Sequence, residues 1–206
     1  EISVSHQGMR VTMGEKSEQK RQYILDCARK VFIEKGFRSV TMKDIVDACE
    51  ISRGGLYLYF AGTEEIFLEV LKRESEADDD VFSVNITENA TAADILLVFF
   101  KEQKKELLRK NDDLAVATYE YYFAHGKEQK ENLWHSQYEA GVWILQRLIE
   151  KGIENGEFYQ VDSGVMAHTI MLVIEGMKIV AHTGEITESM IDQQFGAFVQ
   201  QLCIEE

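Results

Sequence analysis

The run Ser52-Arg53-Gly54-Gly55-Leu56-Tyr57-Leu58-Tyr59-Phe60 gathers hydroxyl, guanidinium and phenol groups within a few helical turns and contains no carboxylate. Such groups hydrogen-bond base edges and phosphate oxygens, and nothing among them repels a polyanion. Arg53 suits a bidentate contact to guanine, which discriminates by about 1–3 kcal/mol; the alternative is a solvated charge beside a helix start. Gly54 and Gly55 either let a duplex approach the backbone closely or are poor helix formers tolerated in a short element. Leu56 and Phe60, four apart, suit a core, which leaves Tyr57 for a base or phosphate contact and Tyr59 for a phosphate. Three aromatics in the four positions 57–60 exceed what a small core absorbs.

A second set lies farther along: Phe99, Phe100, Tyr119, Tyr121, Tyr122, Phe123, Trp134, Tyr138 and Trp143, spread over three consecutive helical stretches. Tyrosine and tryptophan need polar partners when buried, so this load points to a ligand-holding interior as well as to plain core. The candidates are Phe99, Tyr119, Tyr122, Phe123, Trp134 and Tyr138, with Met171 and Glu175 from a later apolar stretch. Glu175 serves either a cationic or hydrogen-bonding ligand or a polar position in a subunit interface. His168, Glu175 and His182 recur every seven residues on one helix face, about 10 Å apart, too far to share a metal ion. No HExxH, glycine-rich phosphate loop, GxSxG or Glu-x-x-His pair occurs, so neither catalysis nor a cofactor or metal is expected. Cys27, Cys49 and Cys203, widely spaced among apolar neighbours, read as reduced core thiols.

The elements that must position these residues are helical. Proline is absent from all 206 residues, apolar residues make up 45%, and no alternating strand pattern appears. Ile24, Ala28, Val31 and Phe32 give a helix over 19–35 that stops at Gly36. Thr41-Met42-Lys43-Asp44 is a capping box opening a short helix at 41–49, and Ser52 caps another at 52–60. Two short helices joined by a tight turn are the helix-turn-helix pattern. Beyond Gly62, helices are expected from Thr63, whose hydroxyl is placed as a cap, and then near 92–110, 113–124, 128–154, 162–182 and 187–203. That totals about nine helices in an all-α chain: a three-helix N-terminal unit and a larger helical one. The apolar stretch 165–181 is broken by His168, Glu175 and Lys178, which reads as core helix and not a membrane span.

The net charge of −14 divides unevenly. Residues 1–62 hold ten Lys/Arg against eight Asp/Glu, whereas the remainder holds 12 against 28. Only the N-terminal part tolerates a polyphosphate. Residues 1–16 read as a flexible tail, the first eight of them foreign to a natural start at Met9 or Met13. They show neither the basic nor the apolar segment of a secretory signal.

Ile24, Ala28, Phe32, Gly36, Thr41, Ile45, Ser52, Gly54, Leu56-Tyr57, Tyr59-Phe60 and Glu64-Glu65 resemble, in order and spacing, the DNA-binding domain of the TetR family of transcriptional regulators, over roughly a quarter of the chain. The resemblance implies a DNA-binding domain at 17–62 and a ligand-binding and dimerisation domain at 63–206. It implies a cytoplasmic homodimer that binds a double-stranded operator and releases it on meeting a small apolar or amphipathic effector. The DNA contacts then fall to Thr41, Lys43, Ser52, Arg53, Gly54, Gly55, Tyr57, Tyr59 and Thr63. Lys43 is equally a solvated lysine. Two positions depart from the family pattern: Glu50 stands where the turn commonly has Gly, and Thr63 where a Lys commonly meets a phosphate. The apolar spacing of Ile170, Ile174, Met177, Ala181, Ile191, Phe195, Phe198 and Leu202 suits a four-helix bundle built by two chains. The competing reading is a helical protein-interaction scaffold with weakened DNA binding.

Overall fold

In a computed structural model that describes residues 13–84, 90–109, 113–125 and 133–204, the described residues form nine helices. They are α1 (Met13–Lys35), α2 (Met42–Cys49), α3 (Arg53–Tyr57), α4 (Thr63–Val84), α5 (Ala92–Leu108), α6 (Ala115–His125), α7 (Leu133–Glu154), α8 (Ser163–Thr183) and α9 (Glu188–Leu202). Helix α1 starts earlier than its apolar stripe, because the exposed residues 14–20 are mostly good helix formers that continue the coil without a core to face. It ends at Gly36, whose φ of 71° few side chains tolerate.

Two cores organise the molecule. Around the first pack Ile24, Ala28 and Phe32 of α1, Ile45 and Cys49 of α2, and Leu56 and Phe60 from the α3 region. The division expected after residue 62 does not bound this core, since Ile66, Phe67 and Val70 of α4 and Tyr121 of α6 complete it. Three ion pairs fix α4 along α1: Arg21–Glu69 at 3.1 Å, Arg73–Asp26 at 2.5 Å and Arg29–Glu74 at 3.0 Å. Partly exposed pairs of this kind add little stability but set register.

The second core draws on α5, α7, α8 and α9, with Leu96, Phe100, Leu145, Ile149, Ile170, Ile174, Phe195 and Leu202 at its centre. An isolated antiparallel bridge, Phe158 to Cys203, closes it, carried by Tyr159 N–H to Leu202 O at 2.8 Å and Ile204 N–H to Glu157 O at 3.0 Å. By length and composition α8 would suit a membrane span, but its Ala167, Ile170, Ile174 and Met177 are packed into this core.

Candidate nucleic-acid interface and effector cavity

The expected capping box opens α2. Thr41 Oγ1 accepts from Asp44 N–H at 3.3 Å, and Asp44 Oδ2 accepts from Thr41 N–H at 2.8 Å and from the Thr41 hydroxyl at 2.6 Å. Lys35 Nζ lies 2.6 Å from the same carboxylate. The Lys35 ammonium first, then the Thr41 hydrogen bonds, hold the Asp44 carboxyl well below the usual aspartate value. The Thr41 hydroxyl proton is thereby engaged, so Thr41 cannot donate to a phosphate without leaving its own cap. Ser52 differs: its Oγ only accepts, from Gly55 N–H at 3.1 Å, and its proton is free to donate outward.

Between these helices Glu50 takes the left-handed conformation, φ 53° and ψ 37°. Glycine is favoured at such a cap, which is the physical content of the family's preference there. Helix α3 is shorter than the stretch 52–60, ending at Tyr57. Lys43, Ser52, Arg53, Gly54 and Tyr57 are exposed, and the Arg53 guanidinium stacks over the Tyr57 ring at 5.7 Å. Around Gly54 the space is open, whereas a Cβ at Gly55 would press on the Ser52 hydroxyl at 3.0 Å. Gly54 thus leaves room for an approaching backbone and Gly55 keeps the cap intact. Tyr59 is half-buried against the first core. Leu58, between the core positions Leu56 and Phe60, is 83% exposed, and nothing in the local sequence marks it as facing outward.

Thr63 does not cap α4. The helix begins at Thr63 itself, and the carboxylate that reaches back is that of Glu65, accepting from Ala61 N–H at 2.6 Å. Ile66 N–H bonds to Gly62 O, which places Gly62 at the cap position.

A cavity of about 460 Å³ lies where the two cores meet. Tyr119 and Trp134 line it beside Glu175, Lys178, Ala181 and His182, while Arg29 and Glu74 reach it from α1 and α4. The Tyr119 hydroxyl donates to Glu175 Oε2 at 3.0 Å and Lys178 Nζ to Oε1 at 2.7 Å. Burial, and then the Glu175 charge, push the Tyr119 phenol far above the ordinary tyrosine value. His182 Nε2 stands 3.2 Å from Asp113 Oδ1, which also accepts from Ala115 N–H at the start of α6. Polar and charged groups therefore furnish much of a cavity expected to be mainly aromatic.

The other candidates lie elsewhere. Phe99 packs on the second core against Phe100, Tyr122 packs on the first, and Phe123 is 80% exposed. Tyr138 meets Trp134 and His168, and the end of the Met171 side chain fills the space beside Gly141. The structure also corrects the expected interface stripe. Ile170, Ile174, Met177, Ile191, Phe195, Phe198 and Leu202 are buried in the subunit's own second core, and Ala181 lines the cavity. Residues enclosed by their own chain cannot meet another. The large apolar residues left outward on α8 are Val165 (63% exposed), Leu172 (62%), Ile179 (46%) and Val180 (39%), the first three again seven apart.

Helix α6 joins cavity to N-terminal unit. Tyr119 faces the cavity, while its neighbour Glu120 accepts from Arg38 N–H at 2.9 Å, and the Tyr121 hydroxyl donates to Glu64 at 2.9 Å. A Cβ at Gly36 would stand 2.6 Å from the Glu120 carboxylate, so the glycine that ends α1 also admits this contact.

Comparison with known proteins agrees with this arrangement. A model of bacterial regulatory proteins of the tetR family matches residues 24–70, and one of tetracyclin repressor-like C-terminal domains matches 95–191. YfiR of Bacillus subtilis, an uncharacterized HTH-type transcriptional regulator, is 33% identical over 149 residues, which are 71% of this chain and 72% of that protein. The HTH-type transcriptional regulator QacR of Staphylococcus aureus is 23% identical over 167 residues, 80% and 87% of the respective chains. A transcriptional regulator from Saccharomonospora viridis, solved in complex with choline, superposes with a TM-score of 0.81 at 18% identity, covering 91% of this chain and 100% of that one.

Proposed function

The chain belongs to the TetR family of bacterial transcriptional regulators, non-enzymatic DNA-binding transcription factors, and from that premise we propose that it is a cytoplasmic, effector-responsive repressor. As a homodimer it grips a palindromic operator and releases it when a small molecule fills the cavity between the cores. The DNA reader is the helix-turn-helix of 17–62, braced by α4 and α6, and the remainder senses and dimerises. Arg53 and Tyr57 read bases; Lys43, Ser52, Tyr59 and Thr63 approach phosphates, and Gly54 lets the backbones come close.

The observation that carries this reading is the placement of consecutive α6 residues. Tyr119 is bonded to Glu175 in the cavity, and Glu120 and Tyr121 are bonded to the DNA-binding unit. A ligand that wedges between Tyr119 and Glu175 pushes on α6, and through Glu120 on the backbone beside the turn at Gly36. The operator is lost to the extent that the ligand prefers the displaced arrangement. Although Lys178 pairs with Glu175, the lining as a whole has more carboxylates (Glu74, Glu102, Glu106, Asp113, Glu175) than Lys and Arg (Arg29, Arg109, Lys178), and with Tyr119 and Trp134 beside them it favours an amphipathic effector bearing a positive charge or a strong hydrogen-bond donor. The choline held by the Saccharomonospora protein makes amines a sensible first set to screen.

Retention and sequencing of random genomic DNA fragments tests the operator: an enriched palindrome is expected, and retention of no sequence above background favours the scaffold reading. An effector found by calorimetry should lower operator affinity about 5–150-fold in the parent and less in Tyr119→Phe. A ligand that fills the cavity with no change in operator affinity would refute the coupling.

A further inference from the structure

Of the ion-paired carboxylates that line the cavity, Glu175 is the most enclosed, its side chain 15% exposed. Both of its oxygens are engaged: Oε2 accepts from the Tyr119 hydroxyl at 3.0 Å and Oε1 from Lys178 Nζ at 2.7 Å. The two donors differ in what they hold together. Tyr119 belongs to α6, so its bond crosses to α8, whereas Lys178 lies three residues after Glu175 on α8 itself. The Lys178–Glu175 pair therefore ties no two helices, in contrast to Arg29–Glu74 on the same cavity wall, which joins α1 to α4. A cation is nonetheless needed at Glu175, because a carboxylate so enclosed is costly without positive charge beside it.

We propose that the Lys178 ammonium is a tethered competitor for the effector: it holds the cation seat at Glu175 Oε1, and an organic ammonium ligand binds by taking that seat and sending Lys178 into solvent. The proposal deepens the effector reading above and rests on it. The exchange keeps Glu175 balanced, one cation for another. The Lys178 side chain is 37% exposed and ends a flexible aliphatic stem, so its ammonium regains water by turning about that stem while the helix stays as it is.

The tether also selects. A group carried on the same helix is present beside Glu175 at high effective concentration, so a bare or strongly hydrated cation gains nothing by replacing it. A ligand whose apolar body lies against Tyr119 and Trp134 adds contacts that Lys178 does not make, and it wins the seat. Lys178 thereby sets the concentration at which the protein responds. An anionic ligand would depend on the same two residues in the opposite sense, drawn to Lys178 and repelled by Glu175.

The test titrates benzyltrimethylammonium, and phenylacetate as its anionic counterpart, into the full-length protein by calorimetry, with helical signal and thermal melts recorded for each variant. Lys178→Met keeps the apolar stem and removes the charge; it should bind the ammonium about ten-fold or more tightly than the parent does. Lys178→Gln, which keeps a hydrogen-bonding end without the charge, should move in the same direction and serves where Lys178→Met is poorly folded. Lys178→Arg, which keeps the charge, should not tighten binding, and adding Glu175→Gln to Lys178→Met should abolish the gain. Equal ammonium affinity in the parent and both uncharged variants, no ammonium binding to any of them, or phenylacetate bound by the parent and lost in Lys178→Met would each overturn the proposal. These titrations use no DNA. Operator titrations run alongside them with the same ammonium, so tighter binding in Lys178→Met with operator affinity unaltered would sink the effector reading and leave the cation seat standing.

Discussion

The Tyr57 ring lies under the Arg53 guanidinium and its phenol is proposed to meet DNA, and these two roles separate by mutation. Tyr57→Phe keeps the ring under the guanidinium and removes the hydroxyl, so the fold should stand while operator affinity falls. Arg53→Ala should flatten the preference at one base pair per half-site, at a cost of about 1–3 kcal/mol. Gel-shift titrations against a panel of single-base operator variants measure both, and an unchanged profile in both variants would remove these residues from the reading surface. Thr63 is informative in another way. Because Gly62 holds the cap position and Glu65 makes the reach-back bond, Thr63→Lys forfeits no cap, and its melting temperature should stay near the parent's. If the side chain faces a phosphate, log affinity should fall more steeply with log salt, by roughly 0.9 per new contact. An unaltered slope would place residue 63 away from the DNA backbone. At this scale the exposed residues of α3 were legible in the sequence, because a capped helix of a few residues leaves little choice of face. Leu58 was not, since nothing local distinguishes an apolar side chain that faces solvent from one that faces the core.

Among the helices, the junction of α2 and α3 holds a cost that the sequence made visible before the structure explained it. A side chain at φ 53° is strained by about 1–2 kcal/mol, and Glu50 adds a negative charge at the C-terminal end of α2, where the helix dipole disfavours it. Glu50→Gly should therefore stabilise by about 1 kcal/mol after the entropy of glycine is counted, raising the melting temperature by roughly 2–4 °C for a chain of this size. Thermal melts of parent and variant at one pH suffice; a lower melting temperature would mean that the Glu50 side chain contributes something its backbone conceals. Helix α8 shows the limit of pattern reading. It is apolar on more than one side, so its sequence contains two stripes, Ala167-Ile170-Ile174-Met177 and Val165-Leu172-Ile179. Periodicity gives the direction of each face but not its partner. The expected interface stripe proved to be the subunit core, and the outward stripe became evident only once α5, α7 and α9 had covered the other. Helix α6 poses the same difficulty with aromatics: Tyr119 lines the cavity and Phe123, one turn on, stands in solvent.

For the whole molecule, the proposed homodimer predicts that the outward α8 stripe is covered by a second copy in a four-helix bundle. Leu172→Arg, at the middle of that stripe and away from the cavity, should sediment as a monomer at micromolar concentration and lose operator affinity while keeping its helical signal. A dimer that survives the charge would move the interface elsewhere. The way the first core is completed has a practical consequence. Tyr121 is fully enclosed there, against Phe37 and Phe67 at ring distances of 4.9 and 5.4 Å, though it arrives from α6, some fifty residues downstream of the reader. Removing a buried aromatic of this size costs about 3–5 kcal/mol, comparable to much of a small domain's margin. The reader is therefore not an interchangeable part. A graft of 17–62 onto a foreign sensor, or an excised fragment ending before α6, should expose a hole where the tyrosine ring belongs and melt far below the parent. A chimera that carries α4 and α6 along with it should hold.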